Sequence, residues 1–73
     1  MPERSEVVVV PHNMRWEVRV RGFARPMIDW LCTKERAVEH ALERAREMQA
    51  RSVVIETWNG NIDEIIWLSR AAA

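Results

Sequence analysis

Residues 15–21 alternate strictly between apolar and charged side chains. The apolar members are Trp16, Val18 and Val20, and each lies between two Arg or Glu residues. Successive side chains of a strand point to opposite faces of the sheet. This period of two therefore predicts a strand with one face on the core and the other face in water.

A run of four valines at positions 7–10 precedes this strand. β-Branched residues favour strands, and Pro11 closes the run because proline has no amide hydrogen to donate to a ladder. A short turn between the two strands is predicted at residues 12–14. Residues 27–32 fit two interpretations, a short third strand and an extended connection.

Residues 34–50 carry a helical pattern. Thr33 is the predicted N-cap, because its hydroxyl oxygen can accept a hydrogen bond from a free amide of the first turn. Apolar residues then recur at steps of three and four, which places them on one stripe of the helix. The members of this stripe are Ala37, Val38, Ala41, Leu42, Ala45 and Met48.

A second hairpin is predicted in residues 52–68. Asn59-Gly60 separates two β-rich runs, and this dipeptide is typical of a two-residue type I′ turn. Such a turn fixes the register of the two strands. The predicted pairs are Thr57–Ile62, Glu56–Asp63, Ile55–Glu64, Val54–Ile65 and Val53–Ile66. The face predicted to lie against the helix carries Val53, Ile55, Thr57, Ile62, Glu64, Ile66 and Leu68. The opposite face carries Val54, Glu56, Trp58, Asn61, Asp63, Ile65 and Trp67.

The order of elements predicts an α+β fold, a two-layer sandwich of an antiparallel sheet with one helix on one face. We expect one domain over residues 1–73 with an ordered core over about residues 6–69. Glu64 is the unusual member of the helix-facing set, because burying a lone carboxylate is expensive, so an edge position or a buried partner is expected. The predicted core consists of Trp16, Val18, Val20, Val38, Leu42, Ala45, Val53, Ile55 and Ile62.

Charge and cysteine content narrow the classes of function. Eleven basic and eleven acidic residues cancel, so the chain is not built for bulk attraction to nucleic acid or to anionic lipid. Cys32 is the only cysteine, which excludes an internal disulfide and fits a reducing compartment. We expect the Cys32 side chain to be a small, buried, hydrophobic one. The longest apolar run, residues 7–10, is too short to cross a bilayer. We expect a cytoplasmic protein that does not contact a membrane.

Catalytic and ligand-binding motifs are not evident in the sequence. With only Gly22 and Gly60, the chain has no glycine-rich phosphate loop. His40 lies one helical turn from Arg36 and from Arg44, which is not the spacing of metal ligands. We therefore expect a protein that is not an enzyme and that has no cofactor, metal or small-molecule ligand.

The order of several short motifs resembles a small bacterial family called domain of unknown function 2188. The motifs are Pro11, Trp16-x-Val18 and Gly22, then Thr33-Lys34 with Ala37-Val38 and Ala41, then Val53-Val54-Ile55, then Gly60-x-Ile62-x-Glu64. The resemblance covers about residues 7–65. It implies a strand–strand–helix–strand–strand layout and a stand-alone bacterial protein without an assigned activity. The chain departs from the family at Leu31-Cys32, at Trp58 and at residues 65–68.

Two functions remain open. The first is protein interaction or self-association, most simply as a homodimer, through the second face of the last hairpin. A single helix covers only one face of a sheet, and large exposed apolar patches on soluble proteins usually mark interfaces. The expected interface residues are Val54, Trp58, Ile65 and Trp67. The alternative is that residues 23–32 cover this face within the chain, with Trp30 stacked on it.

The second function is nucleic-acid binding by an arginine-bearing strand face. Arg15, Arg19, Arg21 and Arg25 are the expected contacts, with Glu17 as the only acidic residue among them. A sheet face that presents arginines can follow phosphates. The zero net charge speaks against this function, because nucleic-acid-binding domains are usually basic.

Overall fold

The computed structural model describes residues 6–23 and 25–68 of the chain. The elements are β1 (Val7–His12), β2 (Arg15–Val20), β3 (Ile28–Leu31), α1 (Lys34–Met48), β4 (Ser52–Glu56) and β5 (Ile62–Trp67). Residues 27–32 therefore contain a third strand rather than an extended connection. The ends of the expected domain, residues 1–5 and 69–73, lie outside the described residues.

The five strands form one sheet in the order β3-β2-β1-β4-β5, and the helix packs on it. The expected α+β class and the helix-on-sheet layout are confirmed. The sheet is mixed rather than antiparallel, because β1 and β4 run parallel whereas the other neighbouring strands are antiparallel. The helix carries the chain from β3, at one edge, to β4 on the far side of β1. This crossover returns the chain to the end of the sheet from which β1 starts.

The helix buries a row of small side chains on the sheet. Ala37, Ala41 and Ala45 are fully buried, and the predicted stripe residues Val38, Leu42 and Met48 are partly buried beside them. Thr33 is the N-cap as predicted, since its Oγ1 accepts a hydrogen bond from the Arg36 amide at 3.2 Å. The helix ends at Met48, slightly earlier than the pattern predicts, because Gln49 adopts a left-handed conformation that caps it.

The core between helix and sheet is rich in valine. Among the predicted core residues, Val18, Val20, Ala45, Val53 and Ile55 are buried, and Trp16, Val38 and Leu42 pack against the core from its margin. Val7 and Val9 of β1 and Leu31 of β3 are also buried. Strand β1 is central in the sheet, so the valines on both of its faces have neighbours.

The type I′ geometry occurs in the first hairpin, not in the second. Asn13 and Met14 have φ values of 52° and 64°, and they connect the paired residues His12 and Arg15. Positive φ at both central residues is characteristic of a two-residue type I′ turn. Asn13 is suited to this conformation, whereas Met14 is not.

The loop of the second hairpin has three residues, so the expected type I′ turn at Asn59-Gly60 is wrong. The Thr57 amide donates to the Asn61 carbonyl at 2.8 Å, and the Gly60 amide donates to the Thr57 carbonyl at 3.0 Å. Gly60 has a φ of 89°, whereas Asn59 is not among the described residues with positive φ. A turn followed by a left-handed glycine is the usual form of a three-residue hairpin loop. The Thr57 hydroxyl also bonds to the Asn59 side chain, which holds this loop in place.

A bulge in β5 compensates for the longer loop. The predicted pairs Val53–Ile66, Val54–Ile65 and Ile55–Glu64 are present, but Glu56 pairs with Ile62. The pairs predicted for Thr57 with Ile62 and for Glu56 with Asp63 are therefore wrong, and Asp63 is the extra residue of a bulge. Residues directly opposite each other share a face of the sheet. The bulge thus moves Ile62 from the expected core to the face that points away from the helix.

Candidate interaction surface

The sheet face opposite the helix, called here the far face, has an ion-paired half. Arg19 Nε lies 2.9 Å from Glu17 Oε1. Arg21 lies between two carboxylates, with Nε 2.5 Å from Glu6 Oε1 and Nη2 3.7 Å from Glu56 Oε2. Glu6 lies beside β1 and Glu56 ends β4, so the Arg21 side chain crosses β1. Long side chains therefore cover this half of the far face in place of a second layer.

Val8 and Val54 lie beneath these side chains. They are neighbours across the parallel β1–β4 pair, and both are buried although the helix is on the other face. Val54 was expected to contact a partner, but only 3% of its surface is exposed. It can therefore serve as the floor of an interface and not as a contact that protrudes from it.

The other half of the far face is apolar and exposed. Ile62, Ile65 and Trp67 of β5 are opposite Glu56, Val54 and Ser52, respectively, and so share the far face. Their exposed fractions are 59%, 37% and 66%. These three residues are called here the β5 strip. Ile62 was not predicted to belong to it. A three-residue hairpin loop usually has glycine at its left-handed position, so Gly60 was a sequence signal for this loop, and the bulge compensates for the extra loop residue.

The remaining tryptophan of this hairpin, Trp58, is 84% exposed and lies in the loop. Trp67 is opposite Ser52, at the other end of the hairpin. Six residues of strand separate the two positions, which corresponds to about 20 Å. The expected single patch with both tryptophans is thus an elongated strip with one tryptophan near each end.

The acidic residues of β5 point to the helix side. Glu64 is opposite Ile55, a core residue, and the Asp63 carboxylate lies 3.2 Å from Lys34 Nζ at the start of the helix. Both carboxylates are exposed. Strand β5 is at the edge of the sheet, and no helix Cα lies within 8 Å of a β5 Cα in the described chain. The edge position explains how Glu64 occupies the helix side without being buried.

Trp30 does not cover the β5 strip. It belongs to β3, which is at the opposite edge of the sheet with three strands in between. This separation amounts to about 19 Å at the usual spacing of strands. The Trp30 ring instead lies 6.2 Å from the His40 imidazole of the helix, in an edge-to-face arrangement. The alternative in which Trp30 stacks on the far face of the last hairpin is therefore wrong.

The arginines proposed for nucleic-acid binding do not form one free cationic face. Arg19 and Arg21 are in the ion pairs described above, although Arg21 is exposed, as Arg15 and Arg25 are. Carboxylates that already neutralise two of the four guanidinium groups would compete with phosphates for them. Nucleic-acid binding through these four arginines is a hypothesis that nothing in the structure tests.

Other candidate chemistry is sparse in the described residues. Cys32 is exposed rather than a small buried side chain. Within residues 6–23 and 25–68, no three His, Cys, Asp or Glu side chains are grouped so as to hold a metal ion. In the same residues, no helix combines the length and the apolar character needed to cross a bilayer.

Comparisons with known proteins gave no match. No family model matches the chain, and neither the curated proteins nor the solved structures contain a significant relative. The resemblance to domain of unknown function 2188 therefore stays a prediction, and the β5 strip is the main basis for a functional proposal.

Proposed function

We propose that this chain is a non-enzymatic self-association module that forms a two-fold homodimer through the β5 strip. The observation that carries the proposal is the contrast between the two halves of the far face. Ion pairs close the half formed by β2, β1 and β4, whereas Ile62, Ile65 and Trp67 remain open to solvent on one strand. Contiguous exposed apolar side chains on a soluble domain are typical of an interface.

The small size of the domain supports the same proposal. A chain of 73 residues buries only about 60–65% of the surface that it exposes when unfolded, so its stability margin is small. A single cysteine cannot form an internal disulfide, and association with a second copy is another common way to stabilise a small domain. Closed two-fold dimers are the most frequent soluble assemblies. The exposed thiol of Cys32 favours a reducing compartment such as the cytoplasm.

Sedimentation velocity over a range of protein concentrations tests the proposal. The parent is expected to sediment as a dimer, and Trp67→Ser is expected to weaken the dimer by at least about 30-fold, as for a typical hot-spot residue. Circular dichroism verifies that the variant keeps its helix and sheet. Trp30→Ser is the matched control, since Trp30 is exposed to a similar extent, 59%, but lies at the opposite edge of the sheet.

Three outcomes count against the proposal. The first is a parent that stays monomeric at the highest concentration reached. The second is a folded Trp67→Ser variant that dimerises like the parent. The third is a Trp30→Ser variant that dissociates as readily as Trp67→Ser, because the interface would then lie elsewhere or involve both edges.

A further inference from the structure

Among the residues that the structure describes, β5 has a hydrogen-bonded neighbour on one side only, strand β4. In an antiparallel pair, opposite residues alternate between exchanging both backbone hydrogen bonds and exchanging none. The Leu68 amide donates to the Arg51 carbonyl at 3.1 Å, so this position is of the bonded type. Ile66 is also of the bonded type, two residues along the strand. Ile65 and Trp67 alternate with these positions, and their amides and carbonyls point away from β4.

The free edge of β5 thus has two features in register. Ile65 and Trp67 direct backbone donors and acceptors outward in the plane of the sheet, and their side chains are exposed on the far face. An edge with unpaired backbone groups is a template on which another strand can pair. The exposed side chains do not specify the orientation of a second copy. The outward-pointing amides and carbonyls do, because they fix which residues of a second strand can pair with β5.

We propose that β5 pairs antiparallel with β5 of a second copy, so that the two five-stranded sheets become continuous. This inference rests on the proposed self-association and defines its geometry. A two-fold axis at Ile66 makes Ile65 of each copy a hydrogen-bonded partner of Trp67 in the other. On the far face, each Ile65 side chain then packs on a Trp67 ring, and pairs of an aromatic with a β-branched residue are favourable across strands.

The charges of β5 favour the antiparallel direction. Asp63 and Glu64 are near the start of the strand, and the residues from Ile65 onward are apolar up to Leu68. Antiparallel pairing about Ile66 places the acidic start of each strand beside the apolar end of the other. Parallel pairing in register would instead place like charges side by side, which destabilises a sheet.

The other edge of the sheet is less suited to pairing. Strand β3 has only four residues, its register with β2 is irregular, and the exposed Asp29 lies within it. Short edge strands, bulges and charged residues are the usual means by which proteins protect an edge. Strand β5 also has a bulge and two acidic residues, but they lie within its first three residues. Its last three residues, 65–67, are apolar and pair with β4 in regular register, so this is the edge at which we expect pairing.

A proline at position 65 tests the backbone part of this proposal. Ile65→Pro removes an amide that points outward and leaves the β4–β5 ladder intact, because proline is tolerated in edge strands where its nitrogen faces away from the partner. Ile65→Ser is the matched control, since it removes the apolar side chain and keeps the amide. We expect Ile65→Pro to weaken the dimer by roughly tenfold or more beyond Ile65→Ser, because two symmetry-related hydrogen bonds are lost.

Amide hydrogen exchange in the parent provides a measurement that does not depend on any variant folding. The amides of Ile65 and Trp67 are expected to exchange rapidly in the dilute monomer and to be protected in the concentrated dimer. The Ile66 amide, which bonds to β4 in both states, is the internal reference. Trp58→Ser is expected to leave the dimer unchanged, since the loop lies about 20 Å from Trp67 and away from the two-fold axis.

The outcomes separate this inference from the proposed function. A monomeric parent overturns both. A dimer that survives in folded Ile65→Pro, or in which the amides of Ile65 and Trp67 stay unprotected, overturns strand pairing but retains self-association through the far face. A mass that continues to grow beyond the dimer with concentration overturns the two-fold β5 pairing, because pairing of β5 with β3 of another copy forms open chains.

Discussion

The turn between β1 and β2 contains a methionine in a conformation that favours glycine. Met14 has a φ of 64°, and its side chain is 99% exposed. A residue with a β-carbon loses about 1–2 kcal/mol in the left-handed region, because that atom approaches the following carbonyl oxygen. Asn13, at φ 52°, tolerates the region better than methionine does. Met14→Gly is therefore expected to stabilise the fold.

The net gain follows from two opposing terms. Relief of the backbone conformation contributes about 1–2 kcal/mol. The greater freedom of glycine in the unfolded chain offsets about 0.5–1 kcal/mol of this. Because the methionine side chain is fully exposed, its removal costs little packing. A net stabilisation of about 0.5–1 kcal/mol raises the Tm of a domain of this size by roughly 2–8 °C.

Urea and thermal unfolding of Met14→Gly, followed by circular dichroism, measure this gain. All variants are compared at one protein concentration, because the proposed self-association would make the Tm depend on concentration. Met14→Ala is the matched control, since it removes the same side chain and keeps the β-carbon. Its free energy of unfolding is expected to stay within about 0.5 kcal/mol of the parent. A neutral or lower Tm for Met14→Gly, or an equal rise for Met14→Ala, would refute the reasoning.

Three further predictions concern the helix and the arginines. Ala41→Leu is expected to destabilise the fold by about 1–3 kcal/mol in urea unfolding, because Ala41 is fully buried in the core between helix and sheet, where extra methylene groups force side chains or backbone to shift. Leu42→Ala is expected to cost about 2 kcal/mol, the lower end for such changes, because Leu42 is only half-buried; an unchanged midpoint would contradict the helix orientation. Because Arg19 and Arg21 are ion-paired, titration with single- and double-stranded oligonucleotides in low salt is expected to show no binding. Tight binding that weakens steeply with salt would restore the nucleic-acid hypothesis.

The sequence by itself determined the elements that depend on neighbours along the chain. The period of two in β2 follows from the side-chain alternation of a strand. The helix start follows from the Thr33 hydroxyl, whose hydrogen bond to a backbone amide lies within one turn. These two features are local, so their pattern is complete within a short window. The inner register of the last hairpin, from Val53–Ile66 to Ile55–Glu64, agrees with the prediction although the turn on which the prediction rested is wrong, because the bulge at Asp63 offsets the extra loop residue.

The direction and position of the strands in the sheet required the tertiary structure. Val9 pairs with Ile55 in a parallel arrangement after the chain has passed through β2, β3 and the helix, and no local pattern encodes that contact. The same holds for Leu31, which is buried only because β3 adds to the edge of β2.

The candidate surface also depended on the tertiary structure. The sequence indicated the apolar character of Ile65 and Trp67, but a two-residue turn and a three-residue loop differ by one residue, and that residue decides which face Ile62 occupies. The bulge at Asp63 restores the register and moves Ile62 outward. Ion pairs between distant segments, such as Arg21 with Glu56, then decide which part of the far face remains exposed. The reason is that register and coverage are properties of paired strands and not of one strand alone.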